Sequence, residues 1–252
     1  MKHGRLGFLM LVTMLAAACR GPSAGSVATA SPTAAPPPTF TTTPTPQPSP
    51  VPPSASPSPS PPPASRVFTE EFTTASPYWQ YLQVDTGAAP PNPKVDGGFL
   101  VLDLPSPNQW MYGIYEPFEY ADVRIDVAVQ VRRGGNAVPG LVCRYDEKRG
   151  WYEFDVLDDQ TYVLLYGQWL AEGVAQYMPL VQAQSEKIVA GENELGLLCQ
   201  GDVLTPFVNG TQLRRRQEST YGLTGGKVGI AVASFEQAPA QIAFDWVRVS
   251  LP

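Results

Sequence analysis

Histidine and charge are both scarce in this chain of 252 residues, of which 16% are charged. The single histidine is His3, so residues 66–252 contain none. That absence excludes a Ser-His-Asp or Cys-His mechanism in those residues, and any metal site there that needs imidazole ligands. The same residues hold 14 basic and 23 acidic side chains, a net charge of −9. An acidic body argues against nucleic-acid binding, which needs basic surface to neutralise phosphate.

The N-terminal segment lacks an apolar run long enough to span a membrane as a helix. Lys2 and Arg5 come before an apolar run, Leu6–Ala18. This run has 13 residues, fewer than the about 20 that a helix needs to cross a bilayer. A short basic segment followed by such a run is typical of a secretory signal peptide, here residues 1–18. The pattern therefore predicts export.

The residues before Cys19 resemble the lipobox of bacterial lipoproteins, a family in which this cysteine is diacylated and becomes the mature N-terminus. Leu15-Ala16-Ala17-Ala18 supplies the small side chains, with Ala16 where the family usually has Leu. The resemblance implies an exported protein that lipid on Cys19 anchors to the membrane at the cell surface. The alternative is an ordinary signal peptide cleaved at an A-x-A site, with Cys19 unmodified.

Residues 19–65 have the composition of a linker. Between Arg20 and Ser65, 32 of 46 residues are Pro, Ser or Thr, and Gly21–Ser65 carries no charge. Such a segment cannot bury a core. Proline favours an extended polyproline II chain of about 3.1 Å per residue, or on the order of 140 Å in all. We predict a semi-rigid stalk between the anchor and a folded body.

Short alternating runs begin at residue 66. Between Val123 and Val131, apolar residues stand at every second position, which indicates a strand with one buried face. Similar runs occur at Phe99–Leu104, Leu141–Tyr145, Trp151–Val156, Tyr162–Tyr166, Leu195–Gln200, Val203–Val208, Val228–Ala233 and Ile242–Val249. No window has a sustained helical period. We therefore predict an all-β domain over residues 66–252, a two-sheet antiparallel β-sandwich.

Two cysteines remain if Cys19 carries lipid. Alternation places Cys143 on the inward face of its strand with Leu141 and Tyr145, and Cys199 on the inward face of another strand. In an exported protein these facts favour a Cys143–Cys199 disulfide, which the chain-entropy model makes worth about 4 kcal/mol. Two buried thiols are the alternative.

Three groups of motifs resemble concanavalin A-like lectin/glucanase domains. The first is Phe68-Thr69-Glu70-Glu71-Phe72, Trp79 and Gly98-Phe99-Leu100-Val101-Leu102. The second is Gly140-Leu141-Val142-Cys143-Arg144-Tyr145 followed by Trp151-Tyr152-Glu153-Phe154. The third is Phe207-Val208-Asn209-Gly210, Gly226-Lys227-Val228-Gly229-Ile230 and Phe244-Asp245-Trp246-Val247. The resemblance implies a jelly-roll sandwich, a fold that hosts lectins, laminin-G-like modules and family 16 glycoside hydrolases.

One strand carries the only run that is similar to a catalytic signature. Glu153, Asp155 and Asp158 resemble the E-x-D-x-x-E motif of family 16 glycoside hydrolases, whose two glutamates are nucleophile and acid. Asp158 stands where the family has the acid Glu, next to Asp159 in a turn-like segment. The alternative is a solvent-facing hairpin, with Glu153 and Asp155 pointing outward and no catalysis.

Aromatic side chains near this strand suit a sugar. Sugars bind through stacking on aromatic rings and hydrogen bonds from planar polar groups. The residues that could form such a ligand site are Trp110, Tyr112, Arg144, Trp151, Glu153 and Trp169. The alternative for each aromatic residue is a place in the core.

The family also suggests a structural Ca²⁺ site, with Glu71 and Asp245 as candidate oxygen ligands and no other cofactor. The only basic run, Arg214-Arg215-Arg216, is typical of a solvated strand edge, and a contact with anionic glycans or lipid head groups is the alternative.

The leading hypothesis is a monomeric surface lipoprotein whose sandwich binds a polysaccharide without catalysis. A glucanase-type hydrolase and a laminin-G-like adhesion or protein-interaction module are the alternatives. Exposed aromatic rings, paired carboxylates in a cleft, or neither, would distinguish the three.

Overall fold

The computed structural model describes residues 63–84, 92–134 and 137–252. The secondary structure of these residues consists of strands without any helix. The sixteen strands are β1 (Phe68–Glu70), β2 (Trp79–Gln83), β3 (Asn92–Asp96), β4 (Phe99–Leu104), β5 (Gln109–Tyr120), β6 (Val123–Arg133), β7 (Ala137–Asp146), β8 (Gly150–Val156), β9 (Thr161–Ala171), β10 (Val174–Gln184), β11 (Glu192–Gln200), β12 (Val203–Val208), β13 (Thr211–Gln212), β14 (Arg216–Gln217), β15 (Gly226–Ser234) and β16 (Ala240–Ser250).

The strands form two antiparallel sheets. Sheet A has nine strands in the order β13-β12-β11-β6-β16-β4-β3, with β1 paired to β16 and β14 paired to β12. Sheet B has seven strands in the order β10-β9-β8-β7-β15-β5-β2. This arrangement confirms the predicted two-sheet β-sandwich.

The core lies between the inner faces of the two sheets. Strand β6 of sheet A contributes Val123, Ile125 and Val127, all completely buried, as its alternation predicted. Strand β8 of sheet B contributes Tyr152 and Phe154 from the other side. Apolar area removed from water drives this packing at about 25 cal/mol per Å². The intervening residues of each strand point to the outer faces of the sandwich.

The predicted disulfide is confirmed. It joins Cys143 in β7 of sheet B to Cys199 in β11 of sheet A, with Cα atoms 6.7 Å apart. Both cysteines are completely buried, and 56 positions of sequence separate them. The bond therefore fastens the two sheets together through the core.

A β-bulge in β7 changes the direction of the next side chains. The pairing of β7 with β8 shifts register between Cys143 and Asp146, and Arg144 has a positive φ of 55°. The prediction that Tyr145 shares the inward face of Cys143 was wrong, because the bulge interrupts the alternation. Tyr145 packs on the outer face of sheet B instead.

The predicted signal peptide, Cys19 and the linker up to residue 62 lie outside the described residues. In the part of the chain that the structure describes, no helix has the length and apolar character needed to cross a membrane.

Candidate functional site

The outer face of sheet B carries a packed aromatic cluster. We call it the sheet B cluster and define it by five residues: Tyr112, Tyr145, Trp151, Trp169 and Tyr177. The ring centroid of Trp151 lies 5.2 Å from those of Tyr112 and Trp169, and 5.7 Å from that of Tyr145. Trp151 is completely buried, whereas Trp169 and Tyr177 are half-buried. The cluster is thus a second small apolar core with partly exposed rings at its margin.

Two glycines on the strands beside β8 make room for its large outer-face side chains. A Cβ on Gly167 of β9 would lie 2.4 Å from Cε2 of Trp151. A Cβ on Gly140 of β7 would lie 2.1 Å from Oδ1 of Asp155. In the β-ladder, Gly167 is the direct pairing partner of Trp151, and Gly140 is the direct pairing partner of Asp155. Trp151 and Asp155 can therefore lie flat over the neighbouring backbone.

Glu153 lies within the sheet B cluster, with 2% of its surface exposed. The indole Nε1 of Trp151 donates a hydrogen bond to Oε2 of Glu153 at 2.8 Å, and the Tyr112 hydroxyl donates to the same oxygen at 3.2 Å. The Tyr177 hydroxyl lies 2.8 Å from that of Tyr112, and the two share a hydrogen bond. Strands β8, β5 and β10 thus all contribute to holding one carboxylate.

Asp155 shares a proton with Glu153. It lies two residues further along β8 and hydrogen-bonds to the Glu153 carboxylate. Burial raises the pKa of Glu153 to about 7, against the opposing effect of its three hydrogen-bond donors. Burial and the negative charge of Glu153 together raise the pKa of Asp155 well above its ordinary value. Glu153 is buried and Asp155 is half-buried beside it. Two such carboxyl groups in contact cannot both ionise without a large cost, so the pair retains a proton near neutral pH.

Asp158 does not join this pair. Strand β8 ends at Val156, and Asp158 is exposed in the turn that leads to β9. Retaining glycoside hydrolysis needs two carboxyl groups about 5–5.5 Å apart that flank the substrate. Here Glu153 is in hydrogen-bond contact with Asp155, and aromatic side chains cover it.

A cleft of about 1040 Å³ opens at one end of the sheet B cluster. We call it the sheet B cleft. Tyr145 and Trp169 contribute aromatic rings to its lining, and Nε1 of Trp169 donates to the Tyr145 hydroxyl at 3.0 Å. Its other lining residues are Gln80, Tyr81, Leu82 and Gln83 of β2, Glu147 and Lys148 after β7, and Leu170, Ala171, Glu172 and Gly173 around the β9–β10 turn.

The predicted ligand-binding residues are distributed unevenly around this cleft. Trp169 lines it. Tyr112, Trp151 and Glu153 lie buried behind it in the sheet B cluster. Trp110 is half-buried on the same face and stacks with Tyr177 at 6.3 Å between centroids.

Arg144 is separate from these residues. Its guanidinium is buried and donates to the carbonyl oxygens of Ala121 at 3.0 Å, Leu223 at 2.6 Å and Gly201 at 2.7 Å. Asp122 lies 3.7 Å away. The β-bulge at this position lets the side chain leave the sheet face and join three chain segments. Arg144 therefore does not lie with the predicted sugar-binding residues.

The calcium prediction stays a prediction. Glu71 lies just after β1 and Asp245 lies in β16, and both are exposed. Within residues 63–84, 92–134 and 137–252, no group of three or more His, Cys, Asp or Glu side chains could hold a metal ion.

Sequence reasoning missed Tyr177 and the strand that carries it. Strand β10 contains Pro179 and shows no strict alternation, so its pattern did not indicate a strand. A usable signal was the absence of any charged residue from Val174–Gln184.

Comparisons with known proteins concern the fold. No protein-family model matches the chain, and no curated protein matches it significantly. A Bacillus licheniformis β-glucanase superposes with a TM-score of 0.52 at 14% identity, covering 74% of this chain and 98% of the glucanase. The catalytic domain of a Thermotoga maritima laminarinase gives 0.53 at 14% identity, covering 73% and 96%. A Bacillus subtilis protein of unknown function with a galectin-like fold gives 0.55 at 12% identity, covering 73% and 94%.

At these identities the likenesses show the fold alone. The fold of this chain is the concanavalin A-like lectin/glucanase β-sandwich, as the motifs predicted. The same fold carries glucanases and proteins without an assigned activity, so function has to be argued from the site.

Proposed function

We propose that the β-sandwich is a carbohydrate-binding domain that holds a polysaccharide in the sheet B cleft without hydrolysing it. The observation that carries the proposal is the composition of the cleft, which combines the rings of Tyr145 and Trp169 with a polar rim. Ligand pockets typically measure about 300–1,000 Å³, and this cleft, at about 1040 Å³, is slightly larger than that range. An open cleft of that size suits several sugar units of a chain.

The lining chemistry favours a sugar over an apolar ligand. Gln80, Gln83, Glu147, Lys148 and Glu172 provide both donors and acceptors around the rings. Pyranose rings offer apolar C–H faces to an aromatic side chain and hydroxyls to such polar groups. The laminin-G-like alternative predicts no aromatic-lined groove, and the cleft therefore supports it less well.

The covering of Glu153 supports binding without catalysis. A nucleophilic carboxylate has to reach the anomeric carbon of the substrate. Glu153 is 2% exposed and lies behind the aromatic rings, and Asp158 lies in the turn beyond the strand. The hydrolase alternative would require the sheet B cluster to open.

A binding screen with matched variants tests this proposal. The full chain is titrated with laminarin, barley β-glucan, xylan, mannan and pullulan by affinity electrophoresis and calorimetry. We expect Trp169→Ala to weaken binding at least about tenfold, which is about 1.4 kcal/mol. Trp110→Ala removes a half-buried tryptophan from the same face but outside the cleft, and should leave binding unchanged. Failure of every polysaccharide to bind would contradict the proposal.

Hydrolysis is assayed on the same polysaccharides by the release of reducing ends. We expect none above background, and Glu153→Gln should leave both this result and the affinity unchanged. Release of reducing ends that Glu153→Gln abolishes would replace the binding module by the glucanase-type enzyme.

We also propose that lipid on Cys19 anchors the domain at the cell surface, with residues 20–65 as the stalk. Support comes from the lipobox-like segment and the uncharged Pro/Ser/Thr composition. Cys19→Ser should move the protein from the detergent phase to the aqueous phase in a cloud-point partition. Mass spectrometry of the mature N-terminus should find a diacylated cysteine, and an unmodified Cys19 would contradict the anchor.

A further inference from the structure

We propose that a second sugar-binding site lies on the outer face of sheet A, on the side of the sandwich opposite to the sheet B cleft. A pocket of about 360 Å³ occupies this face, and we call it the sheet A pocket. The residues that define it are Arg124, Asp126, Gly196, Phe207, Trp246 and Arg248. Its volume is at the lower end of the range for ligand pockets and suits one or two sugar units.

Gly196 forms the floor of the sheet A pocket. In the ladder, Gly196 of β11 pairs with Phe207 of β12 on one side and with Asp126 of β6 on the other. A Cβ at this position would lie 2.5 Å from Oδ1 of Asp126 and 3.3 Å from Cβ of Phe207. The depression exists because this position has no side chain.

Two aromatic rings, each with an arginine guanidinium stacked on it, lie on either side of Gly196. The guanidinium carbon of Arg124 lies 4.2 Å from the ring centroid of Phe207, and that of Arg248 lies 4.8 Å from the ring centroid of Trp246. Both rings are half-buried on a face that has no second layer over it in the described residues. Stacking on the rings holds each guanidinium in place while leaving its remaining N–H donors at the surface.

An ion pair of defined geometry, Arg124 with Asp126, lines the pocket. Arg124 donates from Nε to Oδ2 of Asp126 at 2.8 Å and from Nη2 to Oδ1 at 2.8 Å. A bidentate pair of this kind is preorganised, so little side-chain entropy is lost when a ligand binds. Neighbouring hydroxyls of a sugar match the pair, because one hydroxyl can donate to the carboxylate while the next accepts from the guanidinium.

The charges around the pocket favour a neutral ligand. Two guanidiniums, of Arg124 and Arg248, face two carboxylates, of Asp126 and Glu194. A pocket with balanced charge offers no net attraction to a sulfated or carboxylated chain, nor to a cation. The combination of aromatic edges, paired charges and a glycine floor is therefore suited to a neutral polyhydroxylated ring.

The position of the sheet A pocket would give the domain two binding sites on opposite sides. The two sheets pack through their inner faces, so the sheet A pocket and the sheet B cleft open in opposite directions. One domain could hold two glycan chains, or two stretches of one chain that loops around it. Engaging two sites at once raises the effective affinity for a polymer well above that of either site.

The test uses the indole signals of the five tryptophans in the ¹⁵N-labelled full chain. Laminaritetraose, cellotetraose, xylotetraose and mannotetraose are titrated separately, and the Trp246 and Trp169 signals are followed. We expect at least one tetrasaccharide to shift the Trp246 indole saturably. Asp126→Asn and, as a second variant, Arg248→Ala at an exposed position should each weaken that binding about tenfold or more.

Phe99→Ala is the matched control. Phe99 is also half-buried on the outer face of sheet A and also lies under an arginine, with the Arg132 guanidinium 4.3 Å from its centroid, but it is outside the pocket. This variant should leave the Trp246 shift intact. If Phe99→Ala lost the Trp246 shift as the pocket variants do, the shift would report on the whole outer face of sheet A. That result would overturn the proposal of a specific site in the sheet A pocket.

The outcomes separate this inference from the proposed function. Saturable shifts of Trp169 alone would overturn the second site and leave the sheet B cleft standing. Saturable shifts of Trp246 alone would support the second site and contradict the cleft. Shifts of neither indole with any tetrasaccharide would overturn both.

Discussion

Glu153→Gln should remove a pH dependence of stability that the shared proton creates. In the folded state burial raises the pKa of Glu153 from its ordinary value of 4.5 to about 7. The folded protein therefore keeps a proton in this interval that the unfolded chain releases. Stability is greatest at the acid end of the interval and falls as the pH rises from about 4.5 to about 7. The rise in pKa corresponds to a loss of about 3 kcal/mol.

The chain offers an unusually clear window for this measurement. Its one histidine is His3, so no imidazole of the sandwich titrates between pH 5 and pH 8.5. Hydrogen bonds lower the pKa values of Asp103 and Asp159, and these groups titrate on the acid side of the window. Asp155, whose pKa burial and the charge of Glu153 raise, acts in the same direction as Glu153.

The assay is urea unfolding followed by tryptophan fluorescence at several pH values between 5 and 8.5. The unfolding free energy of the natural protein should fall by at least about 3 kcal/mol across this range, because Asp155 adds to the contribution of Glu153. Glu153→Gln, which keeps the shape and accepts the Trp151 hydrogen bond, should reduce the fall by about 3 kcal/mol and leave only the part that the burial of Asp155 contributes. Asp158→Asn changes an exposed carboxylate near the same strand and should leave the fall unchanged. A flat or rising profile in the natural protein, or the same slope in Glu153→Gln, would refute the shared proton.

Three further predictions concern stability, each measured by urea unfolding at pH 6. Replacing Cys143 and Cys199 by alanine should cost about 4 kcal/mol, because the bond closes a loop of 56 residues; an unchanged midpoint would contradict this. Arg144→Met should cost about 3 kcal/mol, since three carbonyl groups lose their donor, and a cost below about 1 kcal/mol would argue against the clamp. Gly167→Ala should cost about 2 kcal/mol and alter the near-ultraviolet dichroism of Trp151, which a Cβ would displace; an unaltered spectrum would count against the close contact.

Strict alternation made the sandwich predictable. In β6 every second residue from Val123 to Val131 is apolar, and the structure buries all of these except the half-buried Val131 in the core. The same rule placed Cys143 and Cys199 inward, where they form the disulfide. Period-two patterning reports which face of a strand is buried, and this information is local to the strand.

The rule failed where the backbone departs from a regular ladder. The bulge at Arg144 leaves no trace in hydrophobicity, yet it moves Tyr145 to the outer face and sends Arg144 toward three carbonyls. The burial of Glu153 was equally hidden. Alternation correctly placed Glu153 on the outer face of sheet B. The burial of Glu153 on that face depends on Tyr112 and Tyr177, which belong to strands distant in sequence.

The two glycines beside β8 have a consequence for homologous sequences. Because Gly140 lies under Asp155 and Gly167 lies under Trp151, each pair shares one fixed volume. Positions 140 and 155 should therefore covary, and so should positions 167 and 151, with a larger residue at the first accompanied by a smaller one at the second. Homologues that carry alanine or serine at both 140 and 167 are then the ones in which Glu153 would be uncovered.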